Sequence, residues 1–177
     1  MGDDDGTEVG LPLRVGRGML LVFWALLLLL LFFYFQSVLE RAANPNREVL
    51  TTVTAQGVKE VELQRNRQGH YLATGAINGY PVTFLLDTGA TDVAVSGGLA
   101  ATLGLRRGMP ITSQTANGTV TAWQTELAEV SIGDIRLRNV RASILPGLQG
   151  DEVLLGMSFL KQLELVQRGK HLLLRQK

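Results

Sequence analysis

An unbroken apolar run constrains this chain more than any other feature of its sequence. The seventeen residues from Met19 to Phe35 carry no charge and no strongly polar group. That length lies at the short end for a helix that crosses a membrane. A buried helix of a soluble domain is the weaker alternative, because such a helix usually keeps a polar face and a small domain has no interior able to surround it. We therefore expect a transmembrane anchor over residues 19–35, after an N-terminal tail of residues 1–18.

A cleaved signal peptide is the main competitor to an anchor. Arg14 and Arg17 form a basic flank ahead of the apolar run, as in a signal sequence. The run is long for that role, however, and residues 36–44 offer no Ala-x-Ala cleavage site. Arg41 and Arg47 balance the charge on the other side, so counting charges does not decide the orientation. A helix with its N-terminus inside and the following domain outside is the default expectation.

The rest of the chain has room for one modest domain. The sequence has 177 residues, and we expect a polar linker over residues 36–48 and a single domain over residues 49–177. Formal net charge is +1, with no basic stripe, so a nucleic-acid partner is not expected. With no cysteine and two histidines, the sequence predicts no disulfide, no metal site and no cofactor.

The pattern of residues 49–177 is typical of short β-strands. Valine and leucine alternate with charged residues over residues 58–64, and Asn78-Gly79 separates two strand-like runs, residues 70–77 and 80–86. Asn-Gly predicts a tight hairpin because a type I′ turn needs positive φ at both central positions. A second pair, Asn117-Gly118, predicts a longer hairpin. Helix signals are few, at residues 98–103 and 157–163, so we expect a compact all-β barrel or sandwich.

A carboxylate follows directly on one of these apolar strands. Phe84-Leu85-Leu86 ends in Asp87-Thr88-Gly89-Ala90-Thr91, and residues 93–96 then resume as a strand. Gly89 permits a tight turn that the Thr88 hydroxyl can lock, so the acid would be held on a rigid loop. The plain alternative is that Asp87 only begins a turn, which is a common task for Asp beside Gly. The tripeptide alone is therefore a weak signal.

The segment Phe84–Thr91 resembles the active-site signature of retroviral-type aspartic peptidases. Leu154-Leu155-Gly156 is similar to the second hallmark of that family, and the hairpin around Asn117-Gly118 stands where the family has its flap. The resemblance covers about residues 71–175, and the whole set of motifs is similar to a bacterial subgroup of membrane-anchored members. It implies a retropepsin-like closed barrel with a flap hairpin and one or two short helices.

The resemblance also implies roles for individual residues. Asp87 would be the catalytic acid and base. The residues that would support its loop are Thr88, Gly89, Ala90 and Gly156, and those that would contact substrate are Gly89, Thr91, Thr115, Ala116, Asn117 and Gly118. Viral members commonly have an acid where Thr91 stands and an arginine where Met157 stands, and the joint loss of this ion pair leaves no orphan charge.

Peptide hydrolysis by this chemistry needs two carboxyl groups that share one proton. The sequence holds one such motif, because Asp92, Asp134 and Asp151 lack the Thr-Gly that follows Asp87. The second carboxylate would come from another copy of the chain, so we expect a homodimer that cleaves peptides. The resemblance further implies a single-pass protein of the bacterial inner membrane, with its catalytic domain in the periplasm. Two other functions stay open, a catalytically silent binding scaffold and a domain that serves only dimerisation.

Overall fold

The computed structural model describes residues 13–115, 118–148, 150 and 152–176. The chain divides into two compact units, Met1–Glu40 and Arg41–Lys177. Asn117, which was expected in the second hairpin turn, and Ala116 lie outside the described residues, as does Asp151.

A single long helix, α1, occupies Leu13–Ala43. Its segment Gly18–Leu39 is long and apolar enough to cross a membrane, and no residue in its most apolar stretch is buried. Leucine, alanine and methionine are good helix formers, and an apolar surface on all sides suits lipid better than water. The helix continues beyond residue 36, so the first eight residues of the expected linker are helical.

Eleven strands and two short helices are the regular elements of the rest of the described chain. The strands are β1 Thr51–Val53, β2 Lys59–Gln64, β3 Leu72–Ile77, β4 Tyr80–Leu86, β5 Val93–Ser96, β6 Pro110–Thr115, β7 Gly118–Ile132, β8 Ile135–Leu145, β9 Glu152–Leu155, β10 Glu164–Arg168 and β11 His171–Gln176. The helices are α2 Gly97–Thr102 and α3 Met157–Leu160. The all-β prediction is confirmed.

Six strands close into a barrel in the order β3-β4-β9-β5-β8-β7. Closure comes from an antiparallel pairing of β3 with β7, in which Ile77 lies opposite Val130. Strand β6 pairs with the outer edge of β7 and forms a hairpin with it, Thr115 opposite Gly118. Large apolar side chains fill the interior, and Phe84 and Phe159 are fully buried. The expected closed barrel with a flap-like hairpin is therefore present.

The remaining four strands form a second sheet in the order β1-β2-β11-β10. All three of its pairings are antiparallel, and β11 lies between β2 and β10, with His171 opposite Gln64 and Gln176 opposite Lys59. Val61, Leu63, Leu172 and Leu174 from this sheet join the main core. The alternation of apolar and charged residues in β2 thus places one face inside and the other in water.

Two asparagines fix the segment that follows α1. Asn46 is buried, and its side chain donates to the carbonyls of Gln64 and Leu72 at 2.9 and 2.6 Å and accepts from the Gln64 N–H at 2.7 Å. Asn44 is also buried and accepts the N–H of Asn46. Residues expected as a polar linker are therefore bonded to the β-domain, because their side chains supply partners that strand ends lack.

Candidate active site

The two strands that flank the Asp87 loop do not pair with each other, because β9 lies between them. Leu86 of β4 lies opposite Leu155 of β9 in a parallel pairing, and Ala94 of β5 lies opposite Leu154 from the other side. Asp87 and Gly156 each follow directly on one of the paired residues. The topology therefore places the segments that contain Asp87 and Gly156, which are far apart in the chain, side by side at one end of the barrel.

The Asp87 loop is held by its own hydrogen bonds and by β9. The backbone N–H of Asp87 donates to the Leu155 carbonyl at 3.2 Å, and the N–H of Ala90 donates to the Asp87 carbonyl at 3.2 Å. The carboxylate oxygen Oδ1 of Asp87 accepts the N–H of Gly89 at 2.8 Å. Thr88 and Gly89 are exposed, and Asp87 is half-buried. The structure thus presents a carboxylate on a fixed loop at the surface of a single chain.

Gly156 lies so close to this loop that no other residue fits. A Cβ atom at this position would lie 2.6 Å from the Ala90 carbonyl oxygen and would also meet the backbone of Asp92. Both neighbours are main-chain atoms, which cannot move aside as a flexible side chain can. Immediately after it, the Met157 N–H donates to the Ala90 carbonyl at 2.8 Å, and the Ser158 N–H donates to the Thr91 carbonyl at 2.9 Å. The first N–H groups of α3 therefore hold the far side of the loop.

The hydroxyl of Ser158 completes this attachment. It accepts the N–H of Val93 at 3.0 Å and donates to the carbonyl of Arg141 in β8 at 2.7 Å. Ser158 and Val93 are buried, so neither partner has water as a substitute. One side chain thus joins α3, the start of β5 and β8 at the edge of the loop.

An ion pair lies one residue beyond the position where viral members commonly carry an acid. Arg141 Nη2 is 3.2 Å from Asp92 Oδ1. The contact is electrostatic and lacks hydrogen-bond geometry, since that oxygen has no hydrogen bond among the described residues. The Arg141 side chain is 65% exposed, so solvent weakens the attraction. Backbone hydrogen bonds to α3, more than this pair, hold the loop.

The hairpin of β6 and β7 forms the flap-like element. Thr115 Oγ1 donates to the Gly118 carbonyl at 2.8 Å across its end. Gly118, which was expected in the turn, pairs directly with Thr115 and is the first residue of β7. No described hydrogen bond joins Thr115 or Gly118 to the Asp87 loop in a single chain.

A small apolar cluster, separate from the main core, connects the base of this hairpin with the strands beside the loop. Its buried members come from β5, β7 and β8 and are Ala94, Ala122 and Leu145. Half-buried side chains pack on them from the hairpin and from β9 and the residues before it, and these are Ile111, Val120, Leu148 and Leu154. The cluster therefore offers an apolar surface that is not sealed inside the barrel.

Three positions that the sequence did not single out contribute to the architecture of the site. Ser158, Arg141 and Asp92 act through contacts between distant segments, which a local motif does not encode. Ser158 stands two residues after Gly156, at the start of a short helix, a position where hydroxyl residues often bond to backbone groups. Its position at the start of this helix was the one feature of the sequence that could have pointed to Ser158.

Comparison with known proteins supports the resemblance. Residues 73–162 match the family model of the gag-polyprotein putative aspartyl protease. A retropepsin-like aspartic protease from Rickettsia conorii, whose crystal structure is known, is 30% identical, with a TM-score of 0.58 over 73% of this chain and 96% of that one. The residues that match the family model include both the Asp87 loop and strand β9.

Two curated relatives are also similar. An uncharacterized protein encoded in the cobV 5′ region of Sinorhizobium sp is 37% identical over 126 residues, which is 70% of this chain and 54% of that protein. An uncharacterized protein of Rickettsia prowazekii (strain Madrid E) is 31% identical over 121 residues, 66% of this chain and 51% of that protein. The chain thus spans about half the length of the curated relatives that it matches. From the matched family model and the shared fold, it belongs to the gag-polyprotein aspartyl protease family and has a bacterial retropepsin-like fold.

Proposed function

We propose that this chain is a membrane-anchored aspartic endopeptidase whose active site forms from the Asp87 loops of two copies. The observation that carries the proposal is the construction of the loop itself. A carboxylate that accepts one hydrogen bond from Gly89 stands on a loop tied to Leu155 and to the first turn of α3. Rigid support of this kind holds a catalytic group in position without reorganisation during the reaction.

The reaction requires a second carboxyl group, which a single chain does not place beside Asp87 among its described residues. Asp92 pairs with Arg141, and Asp134 lies at the β7–β8 turn, whose backbone bonds to Thr51 and Lys59. A two-fold axis beside the exposed Thr88 and Gly89 would bring two copies of Asp87 together. The exposure of these two residues in one chain supports such a pairing.

Two carboxyl groups at close range cannot both be ionised without strong repulsion, so the pair would hold one proton between them. The ionised group would take a proton from a water molecule while the water oxygen attacks the peptide carbonyl carbon. The protonated group would give its proton to the carbonyl oxygen. When the C–N bond breaks, the nitrogen leaves as an amine after gaining a proton from the pair, and one hydroxyl of the tetrahedral intermediate returns its proton to the pair as the carbonyl group re-forms. The carboxyls end with one shared proton, as they began.

Substrate would lie between the loop and the β6–β7 hairpin. Extended peptides bind along strands through main-chain hydrogen bonds, and their alternate side chains enter pockets. The half-buried side chains of Val120, Leu148 and Leu154 would form the wall of such a pocket. We therefore propose that the enzyme prefers apolar residues beside the bond that it cleaves.

The span Gly18–Leu39 would hold each copy in one membrane. Confinement to a surface raises the effective concentration of two partners and favours pairing without new contacts. We propose the bacterial inner membrane, with the β-domain on the periplasmic side.

A test compares Asp87→Asn with Asp134→Asn in the purified full chain, incubated with a peptide library. Both variants remove one carboxylate, but only the first substitution lies in the loop after β4. We expect Asp87→Asn to abolish cleavage and Asp134→Asn to retain it. Equal cleavage by the native chain and Asp87→Asn would rule out the mechanism. Peptide binding without cleavage by the native chain would favour the scaffold function instead.

A further inference from the structure

One end of the four-stranded sheet carries several basic side chains and no acid. The loop after β2, residues 65–71, meets the turn between β10 and β11, because the Arg65 N–H donates to the Lys170 carbonyl at 2.8 Å. Residues 65–71 and 167–171 contain four cations and no Asp or Glu. We name these four residues the exit surface: Arg65, Arg67, Arg168 and Lys170.

Asn66 ties this surface to the end of α1. It is buried, and its Oδ1 accepts the N–H groups of Gln68 and His70 at 3.0 and 2.9 Å. Its Nδ2 donates to the carbonyl of Ala43 at 3.1 Å. Ala43 follows the last residue of the candidate span, Leu39, by four positions. Four residues reach at most about 14 Å in any conformation, so the exit surface is held close to the point where the chain would leave a bilayer.

The four cations of the exit surface differ in the bonding partners that they already have. Arg65 donates through Nε to the Gly69 carbonyl at 2.7 Å, and its guanidinium lies 6.0 Å from the Tyr71 ring centre. Arg67, Arg168 and Lys170 are exposed and form no ion pair with any described carboxylate. His171 is separate from this group because it contacts Glu62 at 2.8 Å. Three cations therefore remain available to an anionic partner.

The cations at the opposite end of the same sheet already have partners, because Arg175 pairs with Glu60 and Lys59 Nζ donates to the Asp134 carbonyl at 2.9 Å. Residues 54–58 carry no charged side chain, and the β7–β8 turn that docks beside them carries one acid, Asp134. The two ends are separated by the length of β11, about 17 Å for six residues. Among the described residues of this sheet and its turns, the cations that have neither a carboxylate nor a carbonyl partner therefore lie at the end bonded to Ala43.

We infer that the exit surface binds the phosphate headgroups of anionic phospholipids in the membrane that holds α1. The inference rests on the anchor of the proposed function and adds a second, electrostatic attachment to it. Basic residues beside a membrane span are attracted to anionic lipid over about one Debye length. Attachment at Ala43 and at the exit surface would limit how far the β-domain tilts from the membrane.

The test uses the full chain in lipid nanodiscs of two compositions, phosphatidylcholine alone and phosphatidylcholine with phosphatidylglycerol. Hydrogen exchange by mass spectrometry reports on the backbone of residues 65–71 and 167–171. We expect exchange in both segments to slow by at least about threefold in the anionic discs, and the difference to vanish in high salt. Peptide cleavage is measured in the same samples.

Two triple variants with equal net charge decide the assignment. R67Q/R168Q/K170Q should remove the difference between the two lipids, whereas K59Q/R136Q/R138Q, at the other end of the sheet and in the neighbouring strand β8, should keep it. Equal exchange of the native chain in both lipids, or an equal loss in both variants, would overturn the inference. If cleavage and incorporation persist, only this inference fails. A chain that does not incorporate into discs would refute the anchor and this inference with it.

Discussion

Ser158 and Val93, which are sixty-five positions apart in the sequence, are joined by a buried hydrogen bond of 3.0 Å from the Val93 N–H to the Ser158 hydroxyl. The same hydroxyl donates to the Arg141 carbonyl at 2.7 Å. Nearby, the Asp92–Arg141 ion pair has one exposed partner, because 65% of the Arg141 side chain is open to solvent. A buried backbone group left without a partner costs more than a solvated ion pair gains, so the hydroxyl should be the stronger support of the loop.

Replacing Ser158 by alanine should therefore destabilise the domain by about 1–3 kcal/mol, because the Val93 N–H loses its partner. Urea unfolding of the full chain measures the change. Arg141→Gln, which breaks the ion pair, should cost no more than about 1 kcal/mol. Ser131→Ala, at a half-buried serine with no described side-chain hydrogen bond, serves as the control. The reverse order of Ser158→Ala and Arg141→Gln would show that the ion pair is the main support.

Replacing Gly156 by alanine should displace the Asp87 loop. The new Cβ would meet the carbonyl oxygen of Ala90, and overpacking against backbone costs about 1–3 kcal/mol. We expect the cleavage rate to fall severely even in the fraction of chains that stays folded. Cleavage assays with parallel unfolding curves separate the two effects.

The control for this substitution is Gly98→Ala in α2. Its Cβ would meet nothing within 4 Å, and alanine is the better helix former, so this variant should be unchanged or stabilised by up to about 1 kcal/mol. Full cleavage activity in Gly156→Ala would show that the close approach to Ala90 has no part in positioning the loop.

Mixing native chains with Asp87→Asn chains should reveal how many copies form one site. In an equal mixture with random pairing, about one quarter of the dimers hold two native loops. Activity should then fall to about one quarter of that of the same total amount of native chain, provided that partners exchange fully. A fall to about one half would show that single chains act alone. Asp134→Asn chains, mixed in the same way, should leave the activity unchanged.

Replacing Asn46 by alanine should free the segment after α1. It removes one acceptor and two donor contacts, to the main chain of Gln64 and Leu72, and should cost about 2 kcal/mol or more. Trypsin should then cleave the variant after Arg47 much faster than it cleaves the native chain. Gln56→Ala, in the exposed β1–β2 turn, is the control and should remain resistant. Rapid cleavage of the native chain at Arg47 would contradict a docked segment.

Features encoded by neighbouring residues were predictable from the sequence. The Asn78-Gly79 turn has positive φ at both residues, 51° and 82°, as its composition requires. Strands β4 and β5 begin and end as their apolar patterns predict. These elements depend on local chemistry, so a short window of sequence contains the necessary information.

Features created by distant contacts were not predictable. Strand β10 has the sequence Glu-Leu-Val-Gln-Arg, which gives a weak pattern, and it is extended because it pairs with β11. The residues after α1 have the composition of a loose linker, yet the ends of β2 and β3 supply carbonyls that bind Asn46. In both cases the deciding partner is set by tertiary structure, which overrides local preference.

Strand β11 lies inside its sheet, between β2 and β10, so the sheet can form only after this last strand has been synthesised. Strand β2 emerges from the ribosome about one hundred residues before β11, the neighbour that lies along its whole length. Until then, one edge of β2 remains unpaired and open to other strands. Non-local pairing of this kind forms slowly, so the nascent domain should depend on chaperones until residues 171–176 have been made.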